Sequence, residues 1–417
     1  MTASHTYAPS PVLDPVTKPE PLPGGLDLLG RERPLFKEDL AAAGDRIDQA
    51  VAEGRFLVLG GAGTIGSAVV RELFTRHPRA LHVVDVSENN LAELVRDLRS
   101  SLGYTKGDFR TFAVDVGSPE FDALVRAYGP YTHVVNFSAL KHVRSERDPF
   151  TLMRMLTVNV LNTARCLERA VEAGAERSFC VSTDKASSPV NLMGASKRIM
   201  EMVLERYAEQ VTVSSARFAN VAFSDGSLPF SWRQRMERRQ PLVAPRDVRR
   251  YFITKEESGI LCLFSIVLGE ARDVLIPKLR EDLHLTTFAE MSVRFLRSRG
   301  FEPHPCQSEE EARARADELA RARRWPCYFF ESDTTGEKPV ERFHGSDEKV
   351  DWGRFNDIGV VRTEAGGGSG ALERFERSVA ELRRRGCWEK EDLVALVQET
   401  LGEFDHRETF KYLDQKM

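Results

Sequence analysis

The stretch LVLGGAGTIGSAVV, Leu57 to Val70, decides the fold. An apolar run of strand length ends in glycines, and a helical pattern of apolar residues begins directly after them. Gly60, Gly63 and Gly66 allow a tight turn and let a pyrophosphate approach the backbone at a helix N-terminus, where free N–H groups favour negative charge. The spacing alone is a weak signal, because an ordinary strand-to-helix turn also uses glycine.

The sequence around this stretch supplies the context that the glycines need. Short apolar runs such as LHVVDV, residues 81–86, alternate with helical patterns, which predicts an α/β fold with a Rossmann-type doubly wound parallel sheet. Asp85 ends the second strand, where its carboxylate would accept hydrogen bonds from an adenosine ribose and repel a 2′-phosphate. This favours NAD over NADP, although a loop or helix-capping carboxylate is the alternative. Asp115 follows the third strand, where it would meet the adenine edge.

Bulk composition excludes several classes of protein. The 417 residues are 41% hydrophobic, which is enough for a buried core, and the net charge of −4 gives no general attraction to nucleic acid or anionic lipid. The six cysteines show no C-x-x-C spacing, so we expect reduced thiols, a cytoplasmic location and no metal. The longest apolar run, residues 260–268, is too short to span a bilayer, so we expect a soluble protein without membrane insertion.

The chain divides into four predicted parts. They are a proline-rich mobile arm (1–33), an NAD-binding Rossmann domain with a leading helix (34–225), a smaller mixed substrate-binding lobe at the carboxyl edge of the sheet (226–364) and a C-terminal helical segment (371–417). The flexible joint GGGSG, residues 366–370, precedes the last part. The C-terminal helices would pack either against the domain or against a second subunit, and the sequence leaves both open.

Seven segments, in this order along the chain, resemble a known family. Besides the glycine stretch they are FSALKHVRSERDPF (137–150), TVNVLNTARCLE (157–168), CVSTDKASSPVNLMGASKR (180–198), ARFANVAFSDGSL (216–228), RRYFITKEES (249–258) and DTTGEKPVERF (333–343). Over residues 50–345 the chain is similar to the nucleotide-sugar 4,6-dehydratases, extended short-chain dehydrogenase/reductases that act chiefly on UDP-N-acetylglucosamine. The block from Ser182 to Arg198 is the most specific part of the resemblance.

Methionine occupies the position of the usual catalytic tyrosine. Most members of the wider superfamily use Tyr-x-x-x-Lys, in which the phenolate removes a hydroxyl proton, and the corresponding residues here are Met193 and Lys197. A thioether cannot carry a proton. Either the chain binds nucleotide without turnover, or another group supplies the base. The resemblance favours the second interpretation, because a methionine subgroup of these dehydratases is active, and it implies that Lys197 binds the nicotinamide ribose.

The adjacent Thr183, Asp184 and Lys185 are the candidate machinery for an elimination. Once hydride has left C4 of a hexose for NAD, loss of water across C5 and C6 needs a base and an acid. By resemblance Lys185 is the C5 base, Asp184 is the acid for the leaving C6 hydroxyl, and Thr183 hydrogen-bonds the C4 oxygen. We expect burial and the charge of Lys197 to lower the pKa of Lys185. A surface ion pair at a strand end is the alternative.

Further residues carry substrate and cofactor predictions. Lys141 and His142, after the fourth strand, would meet the sugar and diphosphate, although a structural role for His142 is equally consistent. By resemblance the nucleotide-diphosphate site contains Arg217, Asn220 and Arg250, since arginine suits bidentate phosphate contact. The predicted cofactor-binding set is Gly60, Gly63, Thr64, Ile65, Gly66, Asp85, Asp115, Ser138 and Lys197.

Three functions remain in competition at this point. The leading one is NAD-dependent dehydration of a nucleotide-activated hexose, UDP-N-acetylglucosamine by resemblance, to the 4-keto-6-deoxy sugar for a surface polysaccharide. A 4-epimerase or oxidoreductase of the same fold commonly relies on the tyrosine that Met193 replaces. A non-catalytic nucleotide-sugar binder has no use for the Asp184–Lys185 pair. Asp225, where many family members have arginine, departs from the family pattern and bears on substrate recognition. By analogy we expect a homo-oligomer, with no nucleic-acid partner.

Overall fold

The computed structural model describes residues 25–280, 284–333, 338, 340–363, 369–402, 404 and 406. The first 24 residues of the predicted arm, residues 334–337 and most of the glycine-rich joint lie outside this part of the chain. Within the described part of the arm, Leu28 and Leu29 are buried, and Arg31 donates hydrogen bonds of 2.8 and 2.6 Å to the carboxylate of Glu257. Leu28, Leu29 and Arg31 therefore pack against the domain, and the mobility of the arm stays a prediction.

Strands and helices alternate through the first half of the chain, as the apolar runs predict. The strands are β1 Arg55–Leu59, β2 Ala80–Asp85, β3 Asp108–Ala113, β4 His133–Asn136, β5 Arg177–Val181, β6 Thr212–Ala216, β7 Asn220–Val221, β8 Leu242–Pro245, β9 Arg249–Ile253, β10 Asp273–Pro277, β11 Leu285–Thr287, β12 Glu302–Cys306, β13 Arg324–Phe330, β14 Val350–Asp351 and β15 Ile358–Arg362. The helices are α1 Leu26–Leu29, α2 Lys37–Glu53, α3 Thr64–Thr75, α4 Glu88–Leu102, α5 Pro119–Tyr128, α6 Pro149–Leu156, α7 Asn162–Glu172, α8 Leu192–Tyr207, α9 Leu228–Glu237, α10 Lys255–Leu268, α11 Phe288–Ser298, α12 Glu309–Ala314, α13 Ala316–Arg321, α14 Ser369–Arg385 and α15 Lys390–Leu401.

One large sheet organises the molecule. Among the described residues nine strands form it, in the order β14-β15-β10-β6-β5-β4-β1-β2-β3. Neighbouring strands pair in parallel through the part of this order that runs β10-β6-β5-β4-β1-β2-β3. β15 pairs antiparallel with both β10 and β14. The predicted fold class, a Rossmann-type parallel sheet, is confirmed. Chain order reverses between β1 and β4, and ligands of doubly wound folds bind in the crevice at such a point.

Apolar helices cover both faces of the sheet. Buried residues of α2, α3 and α10 form one cluster with the strands, and buried residues of α6, α7 and α8 form another. Two further sheets, β11-β9-β7 and β12-β13-β8, pack with α9 and α11 around the buried Trp232 and Phe295. β10, β14 and β15 come from the range predicted as the substrate lobe, yet they belong to the large sheet, and the division at residue 225 stays a prediction.

The C-terminal hairpin of α14 and α15 packs against its own chain. Phe375, Val379 and Leu393 are buried in the same cluster as α8, and Arg206 of α8 donates two hydrogen bonds of 2.8 Å to the carboxylate of Glu376. Of the two packing alternatives left open by the sequence, the structure shows the first. No helix among the residues described here is long and apolar enough to cross a membrane.

Candidate active site

The glycine loop between β1 and α3 forms a tight backbone cradle. Gly60 has a left-handed φ of 66°, and a Cβ atom there would lie 2.7 Å from the backbone nitrogen of Ser138. A Cβ atom at Gly66 would lie 2.3 Å from the carbonyl oxygen of Gly60, so only glycine fits at either position. α3 begins at Thr64 with Gly63 as its N-cap. The close approach and the helix N-terminus fit the pyrophosphate of the predicted dinucleotide.

Asp85 ties the end of β2 to this loop. One carboxylate oxygen accepts a hydrogen bond of 3.0 Å from the backbone N–H of Ala62, and the other accepts one of 2.9 Å from Ser87. Each oxygen keeps a lone pair that a ribose hydroxyl can use. Asp115, beyond β3, is exposed and accepts a hydrogen bond of 2.8 Å from the N–H of Gly117. Both predicted carboxylates thus follow neighbouring strands at the carboxyl edge of the sheet.

Sequence reasoning missed a contact between the glycine loop and Asp225. The Thr64 hydroxyl donates to the Asp225 carboxylate at 2.8 Å and accepts from the Asp225 backbone N–H at 2.9 Å. Asp225 therefore contacts the loop predicted to hold the pyrophosphate. Ile65, by contrast, packs against the apolar core beneath the loop.

Lys141 and His142 lie beyond β4 at the same edge. Both side chains are exposed, and the ring of His142 lies 3.0 Å from where a Cβ atom of Gly226 would be. This places His142 beside the turn that carries Asp225. Both side chains are accessible to a ligand in the crevice, and their predicted contacts with the sugar and diphosphate stay predictions.

The Asp184–Lys185 pair lies at the carboxyl end of β5, with Asp184 buried and Lys185 partly buried. The Lys185 ammonium donates to Asp184 Oδ1 at 3.1 Å, and the Thr183 hydroxyl donates to the same oxygen at 2.9 Å. The side chain of Asp184 is only 4% exposed, which disagrees with the alternative of a surface ion pair. Burial by itself would lower the pKa of Lys185, but the carboxylates of Asp184 and Glu341 outweigh it and raise that pKa. The expected lowering is wrong, because two anions lie beside the ammonium.

Glu341 is the second residue that sequence reasoning missed. Its Oε1 lies 3.7 Å from Lys185 Nζ, and its side chain is 3% exposed. Among the described residues its Oε2 has no hydrogen-bond partner. Burial, together with the charge of Asp184, raises the pKa of the Glu341 carboxyl. The sequence signal was a lone acid between Val340 and Phe343 in the last family-like segment, 156 positions from Lys185.

Lys197 and Met193 lie in the first turns of α8 and are both 4% exposed. The Lys197 ammonium donates to the carbonyl oxygen of Val181 at 2.9 Å, and burial lowers its pKa to about 8. Met193 packs in the apolar cluster of α6 and α8. A Tyr-x-x-x-Lys spacing also occurs at Tyr251 and Lys255, but there the tyrosine lies in β9 and the exposed lysine begins α10. No phenol on α8 replaces the missing base.

Arg217 does not face a phosphate site. Its guanidinium donates to both carboxylate oxygens of Glu201, to both of Glu348 and to the carbonyl oxygen of Phe343. All five N–H groups are thereby used inside the protein. The predicted diphosphate contact is therefore wrong for Arg217. Its charge is needed between two carboxylates, one of which also accepts from the Ser182 hydroxyl beside the catalytic turn.

Arg250 and Asn220 lie on the paired strands β9 and β7. Arg250, in β9, donates to the carbonyl oxygen of Lys338 at 2.8 Å and acts electrostatically on both Lys185 and Glu341. Asn220 begins β7, which pairs with β9. Their predicted role in the nucleotide site stays a prediction.

A cavity of about 810 Å³ opens beyond the ends of β10 and β9. The aromatic side chains of Tyr251, Phe343 and Trp352 line it. Arg342 and Glu341 are also part of the lining. Glu341 therefore separates this cavity from the Asp184–Lys185 pair. The volume lies in the range of small-molecule sites, and aromatic rings beside cationic side chains suit a base and a phosphate.

Among the described residues, one cluster of possible metal ligands lies on β12 and α12. Donor atoms of His304, Cys306 and Glu311 lie within 4.8 Å of one another. Both ring nitrogens of His304, however, lie within hydrogen-bond distance of guanidinium groups, from Arg315 at 2.9 Å and from Arg324 at 2.6 Å. Two cations beside the imidazole oppose a metal ion at this position.

Comparison with known proteins assigns the chain to a family. A family model described as polysaccharide biosynthesis protein matches residues 56–312, and the chain belongs to that family. It is 31% identical over 230 residues to an uncharacterized membrane protein of Methanocaldococcus jannaschii, covering 54% of this chain and 66% of that protein. It is 29% identical over 274 residues to the capsular polysaccharide biosynthesis protein CapD of Staphylococcus aureus, covering 64% of this chain and 44% of CapD. The chain thus spans less than two thirds of either relative.

The fold is shared with solved structures. The crystal structure of DesIV, a dTDP-glucose 4,6-dehydratase from Streptomyces venezuelae with NAD and TYD bound, matches with a TM-score of 0.52. The match covers 80% of this chain and 99% of DesIV at 20% identity. At this identity the similarity shows the architecture.

Proposed function

We propose that the protein is an NAD-dependent dehydratase that converts a nucleotide-activated hexose, UDP-N-acetylglucosamine in the first instance, into its 4-keto-6-deoxy form. The observation that carries the proposal is the partly buried Asp184–Lys185 pair at the carboxyl end of β5, beside the crevice between β1 and β4. Burying charged groups costs several kcal/mol per ion before any pairing. A protein that only binds a nucleotide sugar gains nothing from such a pair, whereas an elimination needs both an acid and a base there.

The cofactor would lie across the glycine loop. Gly60 and Gly66 leave room for the pyrophosphate, Asp85 would accept from the adenosine ribose, and Lys197 would reach the nicotinamide ribose. NAD when bound supplies an acceptor for hydride from C4 and returns that hydride to C6. The carboxylate of Asp85 disfavours a 2′-phosphate, and we therefore propose NAD rather than NADP.

The proton path does not need a tyrosine. As C4 is oxidised, its hydroxyl proton passes to Thr183, whose own hydroxyl proton moves to Asp184 along the 2.9 Å hydrogen bond. Lys185, as the neutral amine, then removes the C5 proton, and the electrons of the C5–H bond move into the enolate of the 4-ketone. The enolate expels the C6 oxygen, which takes the proton from Asp184 and leaves as water. Lys185 finally returns its proton to C5, so each proton is accounted for.

The cavity behind Glu341 is the proposed place of the nucleotide. Aromatic rings of Tyr251 and Trp352 offer surfaces for a base, and Arg342 offers a cation for phosphate. An epimerase acts at C4 alone and has no use for an acid and a base at C5 and C6, which the Asp184–Lys185 pair would supply.

Product analysis separates the three candidate functions. The protein is incubated with NAD and a panel of nucleotide sugars that begins with UDP-N-acetylglucosamine, and products are examined by mass spectrometry and NMR. A dehydratase releases one water and forms a 4-ketone without net NADH. An epimerase conserves the mass, and a binding protein forms no product; either result refutes the proposal.

Two variants test the roles at the centre of the site. Lys185→Ala should lower turnover by about 10²–10⁴-fold, the usual contribution of a general base, and should keep nucleotide binding. Met193→Tyr serves as the comparison and should change turnover little, although overpacking of the apolar cluster should cost about 1–3 kcal/mol of stability. Near-normal dehydration by the Lys185→Ala protein would remove Lys185 from the role of base.

A further inference from the structure

The catalytic pair has a third member whose role the dehydration scheme leaves unassigned. Lys185 must be neutral to remove a proton, yet in the structure its ammonium lies between two carboxylates, 3.1 Å from Asp184 and 3.7 Å from Glu341. Both anions favour the charged lysine, and the pKa of Lys185 is raised for that reason. The ammonium proton therefore needs an acceptor close at hand.

Asp184 is poorly suited to be that acceptor. Its Oδ1 already accepts hydrogen bonds from the Thr183 hydroxyl and from the Lys185 ammonium. In the proposed scheme it also receives the proton from C4. If Asp184 already held the Lys185 proton, it could not accept the C4 hydroxyl proton that arrives through Thr183.

Glu341 has the free capacity that Asp184 lacks. Its Oε1 lies within ion-pair distance of Lys185 Nζ, and its Oε2 is buried with no hydrogen-bond partner among the described residues. The charged groups that face Glu341 are Lys185 and Asp184 from the turn after β5, Arg250 from β9, and Lys338 at 3.9 Å on its own segment. Burial raises the pKa of the Glu341 carboxyl, which favours a proton on it.

We propose that Glu341 takes the ammonium proton of Lys185 within the partly buried pair, so that Lys185 becomes the neutral amine that removes the C5 proton. This inference rests on the proposed dehydratase function. One N–H bond of Lys185 breaks, one O–H bond of Glu341 forms, and an ammonium and a carboxylate become an amine and a carboxylic acid. Lys185 then cycles between amine and ammonium as C5 loses and regains its proton, while Glu341 keeps its proton throughout. Glu341 is in this sense a positioning residue that acts through Lys185.

The pH profile of dehydration distinguishes this role from a structural one. In the wild type the proton is exchanged inside the pair, so kcat should rise with pH only until Glu341 ionises and then stay level. In Glu341→Gln the Lys185 proton must leave to solvent, so kcat should keep rising up to the pH range in which a lysine side chain loses its proton. The acid limb of the pH profile should therefore move upward by at least about one pH unit. Glu341→Asp should restore part of the low-pH limb.

A matched control is Glu348→Gln, on the same segment but bonded to Arg217 rather than to Lys185; its acid limb should not move. NMR titration of protein with ¹³C-labelled lysine, with Lys185→Ala to assign the signal, follows the pair without any turnover. A Lys185 titration unaltered by Glu341→Gln, or a kcat lowered equally at every pH, overturns the inference. If the wild-type protein forms no 4-ketone but Glu341→Gln still changes the Lys185 titration, the dehydratase proposal fails and the coupling between Lys185 and Glu341 stands.

Discussion

Replacing Arg217 by methionine should destabilise the protein strongly near neutral pH. The substitution keeps much of the side-chain volume and removes the guanidinium that donates to Glu201 and Glu348. Two carboxylates would then lie together in the interior without their shared cation. Breaking a buried ion pair from one side costs about 3–5 kcal/mol, because the remaining charge is left unpaired.

The pKa of Glu201 gives a second, independent value for this loss of stability. Burial by itself would raise this pKa, but Arg217 and Arg198 outweigh burial and lower it to about 2, from a usual 4.5. The difference corresponds to about 3 kcal/mol at roughly 1.4 kcal/mol per pKa unit. A depressed carboxyl pKa contributes stability that is present above pH 4.5 and is lost as the pH falls towards 2. The loss in Arg217→Met should therefore be largest near pH 7 and shrink in acid.

Calorimetry and urea unfolding at pH 7 and pH 4 measure this effect. A loss of about 3 kcal/mol should lower Tm by about 6 °C, at roughly 2 °C per kcal/mol for a chain of this size. The matched control is Arg246→Met, which breaks an exposed pair with Glu331 and should change stability by less than about 1 kcal/mol. If Arg217→Met loses no more stability than the control, or loses equally at both pH values, the reasoning about the buried carboxylates is wrong.

Two further substitutions probe the cofactor side of the site. Gly60→Ala forces a Cβ atom against Ser138 and should raise the NADH dissociation constant by about tenfold or more in a fluorescence titration, whereas Gly174→Ala, with the same sign of φ and open space around it, should leave it unchanged. Lys197→Met should stabilise the protein at pH 7, because burial lowers the lysine pKa to about 8 and the folded state disfavours the charge; in urea unfolding the gain should vanish as pH rises from 8 towards 10.5. A gain independent of pH would contradict this.

The fold could be predicted because its signals are local. The glycines after β1 and the alternation of strand and helix patterns each lie within a few tens of residues, and they define the sheet, the loop and the position of Asp85. Asp184 and Lys185 were found for the same reason, since they are neighbours in the chain. Their catalytic role stays a prediction.

The contacts that sequence reasoning missed join distant segments. Glu341 reaches Lys185 across 156 positions, and Asp225 reaches Thr64 across 161. Arg217 was assigned to phosphate by resemblance, and arginine suits bidentate contact with an oxyanion. Its partners in the structure are the carboxylates of Glu201 on α8 and of Glu348. The residue type predicted the chemistry of the contact, and only the tertiary structure identifies which anion makes it.

The C-terminal hairpin bears on how copies of this chain can associate. α14 and α15 of the same chain cover the apolar face of α6 and α8. The Arg206–Glu376 contact and the hydrogen bond from the Trp388 indole to the carbonyl oxygen of Pro149 hold them there. A second molecule could dock on these helices only after the hairpin had left. Quaternary assembly of this protein must therefore use other surfaces, or exchange the hairpins themselves between neighbours.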